Sequence, residues 1–209
     1  KTSKQVVDAG ALFEVNLESY GLDGTQRVLV EASSTPPLDL NRRLEGLLRY
    51  PHGCLEQTTS AAMPQLYLAE LIDLDAPQQA SLQSNLMAAI ERLSVFQTHS
   101  GGLSLWPNLR SEQPWGTTYA GIFLLEAERQ GFLWPSGMRD PWVGYQRSMA
   151  DRWNRTGERS DLNQAYRLYA LSLAGAPAMG AMNRLRSSKL SDPARWVLGM
   201  AYAKAGHIE

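Results

Sequence analysis

Residues 50–59 read Tyr-Pro-His-Gly-Cys-Leu-Glu-Gln-Thr-Thr, and this stretch decides how the rest of the chain is interpreted. It holds the single cysteine of the sequence, Cys54, with Gln57 three residues later, directly behind a proline–glycine turn. On a helix, side chains three residues apart share a face and are close enough to meet. A cysteine thiol and a glutamine carboxamide held in this way can lose ammonia and form an internal thioester. Such a bond stores an acyl group, which an amine or a hydroxyl can take from the glutamine.

A simpler interpretation of the same residues needs no covalent chemistry. A lone cysteine is usually a small buried apolar residue, and Glu-Gln at the start of a helix is typical of N-terminal capping. Short motifs also recur by chance. The pair Cys54 and Gln57 alone therefore leaves both interpretations open, and the flanking sequence has to distinguish them.

The flanking residues carry a resemblance to a known family. Residues 41–53, Asn-Arg-Arg-Leu-Glu-Gly-Leu-Leu-Arg-Tyr-Pro-His-Gly, predict an amphipathic helix and a tight turn, and a second apolar helix follows. The stretch 38–71 resembles the thioester region of the α2-macroglobulin and complement family, in which a helix, a Pro-aromatic-Gly turn and Cys-Gly-Glu-Gln occur in that order. Leu55, where animal members usually carry glycine, resembles the bacterial α2-macroglobulin branch. The resemblance extends more weakly over most of the remaining chain.

The resemblance implies roles for Cys54 and Gln57, and the position of Tyr50 in the chain suggests one for that residue. Cys54 and Gln57 would form the thioester, and Cys54 would sit at a helix N-terminus, where the helix dipole favours a thiolate. Tyr50, just before the turn, is the residue we expect to shield the bond from water, with Met63 and Trp106 as weaker alternatives. Ordinary core packing explains Tyr50 equally well, and parts of a longer polypeptide are a further source of shielding.

The nucleophile that opens the thioester can be inferred from histidine positions. Some complement relatives use a histidine between a Gly-Gly turn and the next helix to direct acylation towards hydroxyls. The matching segment here, 101–118, contains no histidine. The resemblance therefore implies direct attack by amines, chiefly lysines of a target protease, as in the α2-macroglobulins. His52 is the one histidine that we would test as a neighbour of the sulfur.

Composition excludes several other functions. The chain has 209 residues, a net charge of −1 and 44% hydrophobic residues, which is ordinary for a globular protein with a sizeable core. The charge gives no reason to expect nucleic acid as a partner, and one cysteine excludes a disulfide framework or a multi-cysteine metal site. Glycine-rich phosphate loops and Gly-x-Ser-x-Gly are absent from the sequence. We therefore expect neither a cofactor nor a metal.

The first residues predict β structure. Residues 12–17 and 27–32 alternate apolar with polar side chains, and residues 21–24 predict a turn between them. Two strands are too few for an independent domain. In the resembled family the thioester domain is inserted between strands of a small β domain. Residues 1–35 are therefore assigned to part of a CUB-like β-sandwich.

The remainder, residues 36–209, is assigned to the thioester domain, and its periodicity is helical. We predict helices near 38–49, 54–73 with an interruption at Pro64, 77–96, 117–130, 139–155, 161–175, 177–189 and 192–206. The fold class is mainly α. The loop at 97–107 resembles the turns of α/α toroids, whose helical hairpins stack in series, and we expect the ring to be incomplete in this length of chain.

By resemblance, the chain is the thioester-bearing part of a broad-spectrum protease inhibitor. A protease would cut a bait segment elsewhere in the parent polypeptide, the domains would rearrange, and the thioester would acylate a lysine of the protease. Each molecule would act once, so we do not expect an enzyme. A start at Lys1 without methionine leads us to expect a longer parent. The expected location is the periplasm, with anchoring to the inner membrane left open.

Two alternatives remain at this point. One is a scaffold of the same fold in which the thioester never forms and which binds its partners non-covalently. The other is a toroid enzyme such as a glycosidase, a terpene cyclase or a prenyltransferase. These enzymes need an acidic pair or motif, or a zinc site, and the sequence shows neither.

Overall fold

The computed structural model describes residues 5–8, 10–12, 14, 22, 24–25, 30, 44–154 and 160–206. The chain divides into two compact units, Lys1–Leu38 and Asp39–Glu209. In the first unit, the Ala11 N–H donates to the Asp8 carbonyl over 3.0 Å, and the Thr25 N–H donates to the Leu22 carbonyl over 3.1 Å, close to the predicted turn at 21–24. The two predicted strands fall largely outside the described residues. Their assignment to a β-sandwich stays a prediction.

The described part of the second unit is mainly helical, as the sequence predicts. Its α-helices are α1 (Leu55–Ala62), α2 (Leu68–Leu71), α3 (Ala76–Leu93), α4 (Pro114–Arg129), α5 (Arg139–Asp151), α6 (Ser160–Leu173), α7 (Met179–Arg186) and α8 (Asp192–Lys204). A 3₁₀ segment, Met63–Tyr67, joins α1 to α2, and a second, Ser94–Phe96, follows α3 directly. None of the described residues lies in a strand; two isolated bridges link Gln97 with Leu103 and Ser104 with Glu112.

The observed helices begin and end within a few residues of the predicted bounds, and the largest differences, of four residues, are at the C-terminal ends of those predicted for 38–49 and 139–155. The interruption expected at Pro64 is present as the 3₁₀ segment, because proline lacks the backbone N–H that an α-helix uses. The helix predicted near 38–49 ends before its predicted C-terminus. In its described part the helix stops at Glu45, where Gly46 weakens helical structure. A tight turn follows, in which the Leu47 N–H donates to the Leu44 carbonyl over 2.9 Å.

Two hydrophobic cores support the helices. The first lies between α1, α3 and α4 and includes Leu55, Leu86, Phe96 and Phe123. The second is formed mainly by α6, α7 and α8. A third cluster centred on Trp142 connects α4, α5 and α6. The Trp142 indole N–H donates to the Thr117 carbonyl over 2.9 Å, which fixes α5 against the start of α4.

A buried polar network reinforces the same three helices. Arg167 of α6 donates from Nε to Gln146 Oε1 of α5 over 3.2 Å and from Nη1 to Gln164 Oε1 over 2.6 Å. The Gln146 amide N–H donates in turn to Thr118 Oγ1 of α4 over 3.1 Å. Burial lowers the pKa of the Arg167 guanidinium. The amide oxygens that accept its N–H groups offset the cost of burying the charge.

The contact between Gly121 and Trp142 provides a test of this packing. A Cβ on Gly121 would overlap the Trp142 indole, which is fully buried. We expect Gly121→Ala to lower the free energy of unfolding by about 1–3 kcal/mol, the usual cost of overpacking a core. Gly144→Ala, on the same helix as Trp142 but with open space around it, is the matched control. There the gain in helix propensity should raise stability by about 0.5–1 kcal/mol. Denaturant titration of both variants checks the expectation, and equal stabilities would contradict it.

Candidate thioester site

The turn before α1 requires a glycine at position 53. Pro51 is buried, and Gly53 has a φ of +97°, in the left-handed region that side chains disfavour. A Cβ built on Gly53 would overlap Oε1 of Gln57. The glycine therefore serves two purposes, because it allows the backbone to turn and leaves room for the glutamine side chain to fold back over it.

Cys54 follows the turn as the N-cap residue of α1, and Gln57 is the third residue of the helix. Cys54 is half-buried, with extended backbone angles of −77° and 176°. Its N–H donates to Gln57 Oε1 over 3.1 Å, while the Cys54 side chain lies towards the N–H of Gln57. This reciprocal arrangement is a capping box. It holds the carboxamide carbonyl of Gln57 next to Cys54, so the structure brings the two predicted site residues together.

A second capping box in the same chain shows what capping alone accounts for. At the start of α3, the Asp75 N–H donates to Gln78 Oε1 and the Gln78 N–H donates to Asp75 Oδ1, each over 2.9 Å. Asp75 is a favoured N-cap residue because its carboxylate is a strong acceptor. A thiol is a weak acceptor. Helix capping therefore explains Gln57 but gives no reason for a cysteine at position 54.

Leu55 fixes the first turn of α1 in the core. It is fully buried, and its N–H donates to the Leu105 carbonyl in the 97–112 loop over 3.0 Å. The side chain packs on Gly116 of α4, where a Cβ would lie 2.8 Å from Leu55 Cδ2. In the structure this packing orients the helix that carries both site residues.

Sequence reasoning missed Arg92, near the C-terminal end of α3. Its Nη2 donates to the Gly53 carbonyl over 2.9 Å, and its guanidinium lies 5.7 Å from the centre of the buried Phe96 ring. The two partners of this hydrogen bond are 39 residues apart, and a single sequence contains no signal that links them. Arg92, which belongs to α3, therefore stabilises the turn that precedes α1.

The expected shielding residue is exposed in the described chain. The Tyr50 side chain is 63% exposed, and its backbone carbonyl lies 2.9 Å from His52 Nδ1. Met63 is half-buried against the first core, and Trp106 is 49% exposed. The shielding role of Tyr50 stays a prediction, and so does any role of His52 beside the sulfur.

Other kinds of site find no support in the described ranges. Nowhere in them do three side chains of His, Cys, Asp or Glu come together in a group that could hold a metal ion. Likewise, no described helix combines the length and apolar character that crossing a bilayer requires.

Individual proteins and solved structures that are similar to this chain are bacterial alpha-2-macroglobulins. No known protein-family model matches the sequence. Alpha-2-macroglobulin of Escherichia coli is 33% identical over 108 residues, which are 50% of this chain and 6% of that protein. The structure of Salmonella alpha-2-macroglobulin reacted with methylamine superposes with a TM-score of 0.69 at 27% identity, over 84% of this chain and 12% of that one. The Escherichia coli protein activated by porcine elastase superposes with a TM-score of 0.64 at 28% identity, over 83% of this chain and 17% of that one.

The fold and the site define a helical protein in which a cysteine and a glutamine are paired at a helix N-terminus. These matches show that the chain is similar to one segment of the bacterial alpha-2-macroglobulins. It spans a small part of the relatives' length, 6% of the Escherichia coli protein.

Gly53→Ala tests the geometry of the turn. The left-handed backbone costs an alanine about 1–2 kcal/mol, and the overlap with Gln57 Oε1 adds to that cost. Gly175→Ala is the matched control, because Gly175 also has a positive φ but has nothing within 4 Å of its Cβ position. We expect Gly53→Ala to destabilise the protein more than Gly175→Ala in thermal unfolding. Equal losses would show that Gln57 does not fold back over position 53.

Proposed function

We propose that Cys54 and Gln57 form an internal thioester in a longer polypeptide that captures proteases covalently. The observation that carries the proposal is the 3.1 Å hydrogen bond from the Cys54 N–H to Gln57 Oε1, since it holds the reacting carbonyl at the N-cap residue. In the forming step, Cys54 Sγ adds to Gln57 Cδ and gives up its proton. The carboxamide nitrogen leaves as ammonia, so that an S–C bond replaces a C–N bond.

The second step transfers the acyl group to a target. A lysine amine of a protease adds to Gln57 Cδ, Cys54 leaves as a thiolate, and an isopeptide bond joins the two proteins. Cys54 is the N-cap residue of α1, so the departing sulfur would lie at the positive end of the helix dipole. The molecule is consumed in one reaction, so the proposed activity is inhibition by single-use acylation and not enzymatic turnover.

The relatives support both reactants. One of the matching structures is of a Salmonella relative that has reacted with methylamine, a small primary amine. Another is of an Escherichia coli relative activated by porcine elastase, a protease. The absence of histidine from residues 101–118 favours amines over hydroxyls as acceptors. Cys54 is only half-buried and Gln57 is exposed in the described chain. We therefore assign part of the protection from water to other domains of the parent polypeptide.

We extend the proposal to the architecture and location of the parent. The helices from α1 to α8 would be the first hairpins of an α/α toroid, and residues 1–35 would belong to a CUB-like β-sandwich. Support comes from the serial order of the helices and from the coverage of 84% of the chain by a homologous structure. The full-length protein would act in the periplasm, where it meets proteases that attack the cell envelope, with or without an inner-membrane anchor.

One observation favours a second candidate, a non-covalent scaffold. The capping box at Asp75 and Gln78 shows that this chain adopts the same geometry where no thioester can form. The intact mass of the natively purified full-length protein separates the two candidates, because thioester formation removes one ammonia.

Replacing the cysteine tests covalent capture. In Cys54→Ala, we expect the full-length protein to lose all conjugates with proteases that survive heat and detergent, because the acyl group can no longer be stored. The thermal unfolding midpoint should change little, since Cys54 is half-buried and makes no disulfide. Gln57→Glu, which keeps the thiol but replaces the carboxamide, should also abolish capture. Detergent-stable conjugates formed by Cys54→Ala would refute the acylation mechanism.

Replacing Tyr50 tests the shield. If the ring covers the thioester in the full-length protein, Tyr50→Gly removes an apolar face and water reaches the bond. We expect spontaneous thiol release and methylamine incorporation to become severalfold faster, while the unfolding midpoint stays unchanged. Tyr50→Phe keeps the ring and is the matched control, with rates close to those of the unmodified protein. Identical methylamine kinetics in Tyr50→Gly and Tyr50→Phe would rule out the shielding role.

A further inference from the structure

The peptide group between Gly53 and Cys54 is hydrogen-bonded at both ends. Its carbonyl oxygen accepts from Arg92 Nη2 over 2.9 Å, and its N–H donates to Gln57 Oε1 over 3.1 Å. A continuous chain therefore runs from the Arg92 guanidinium through one peptide group to the glutamine carbonyl. This carbonyl is the group that the Cys54 sulfur attacks in the proposed function.

The chain of hydrogen bonds has a chemical consequence. A hydrogen bond from an ionised donor is stronger than one between neutral groups, and linked hydrogen bonds polarise one another. The guanidinium draws electron density towards the Gly53 oxygen and makes the Cys54 N–H a better donor. When Sγ adds to Cδ, negative charge develops on Gln57 Oε1, which this N–H already faces. Donors aimed at a developing oxyanion lower the barrier of acyl transfer.

The guanidinium of Arg92 packs on an aromatic ring, but one of its N–H groups is buried without a hydrogen bond to any described residue. Its side chain is half-buried, and its charge lies over the face of the fully buried Phe96 ring. Its Nε is buried without a hydrogen-bond partner among the described residues. A buried N–H that lacks a partner destabilises a fold. The arginine therefore keeps its hydrogen bond from Nη2 to the Gly53 carbonyl although its Nε–H has no partner in the described part of the chain.

We propose that Arg92 is a positioning residue for thioester formation, acting on Gln57 through the Gly53–Cys54 peptide. The inference rests on the proposed function and adds a group outside the Cys–Gln motif to it. In the step concerned, the Cys54 thiol loses its proton, Sγ bonds to Gln57 Cδ, and ammonia leaves. Arg92 neither gains nor loses a proton. It orients and polarises the peptide that stabilises the oxyanion.

The capping box on α3 lacks this feature and is a natural comparison. The peptide before Asp75 also has a carbonyl, that of Leu74, which accepts a hydrogen bond over 2.9 Å. The donor is the neutral amide Nε2 of Gln79 instead of a guanidinium. The two boxes therefore share the contact from the N-cap N–H to the glutamine and differ in the charge behind the peptide.

The experiment follows ammonia loss by intact mass in full-length chains released from cell-free synthesis. In Arg92→Met, which keeps an apolar chain over Phe96, we expect formation to slow by about tenfold, less than the loss on removing a direct oxyanion donor. Arg92→Lys keeps the charge, and its rate of thioester formation should lie between the rates of Arg92→Met and the unmodified chain. Added guanidinium ions should accelerate Arg92→Met, which a purely structural defect would not allow. Arg195→Met, which removes an exposed arginine paired with Asp192, is the control and should form the thioester at the normal rate.

The outcomes separate the two proposals. If the unmodified chain loses ammonia and Arg92→Met does so equally fast, the role of Arg92 is refuted while the proposed function stands. If the unmodified chain never loses ammonia, both proposals fail. If Arg92→Met forms the thioester slowly and guanidinium does not accelerate it, the positioning role is also overturned.

As a further test, Asp75→Cys in a Cys54→Ala background creates a Cys–Gln pair without a guanidinium. Ammonia loss from that pair at the normal rate would contradict the inference, and a much slower loss would support it.

Discussion

The hydrogen bond from the Cys54 N–H to Gln57 Oε1 is the interaction on which the proposed chemistry of this protein depends. It closes the N-terminus of α1, and it also presents a carboxamide carbonyl to the residue that carries the only thiol in the chain. Helix capping and thioester formation therefore need the same local geometry. The difference between them is chemical, because an aspartate at the N-cap ends as a stable cap and a cysteine can react.

The surrounding fold keeps this short segment in place from three directions. Gly53 makes room for the glutamine side chain, Leu55 anchors the first turn in the core against Gly116, and Arg92 holds the preceding carbonyl. The buried tryptophan and the polar network around Arg167 fix α4 against α5 and α6. Most of these contacts join residues that are far apart in the chain, whereas Tyr50 is exposed. Tyr50 has too much exposed surface to act as a shield alone, so the proposed shielding would need other domains of the proposed parent.

The sequence predicts the helices of the second unit and the pairing of Cys54 with Gln57, because both depend on local periodicity and on side chains three residues apart. It misplaces the end of the helix before the turn, where Gly46 and leucine packing outweigh the apolar pattern. It also misses Arg92 and Gly116, since their contacts join residues far apart in the chain. The strands predicted for residues 1–35 lie mostly outside the described residues and stay predictions.

The most direct test of the central claim is the state of Cys54 in natively purified full-length protein. The sample is treated with a thiol-specific alkylating reagent before and after methylamine, and the labelled positions are found by peptide mapping. A thioester predicts that Cys54 is protected at first, becomes labelled after methylamine, and leaves Gln57 as its N-methylamide. Complete labelling of Cys54 before methylamine, with Gln57 unmodified afterwards, would contradict the account.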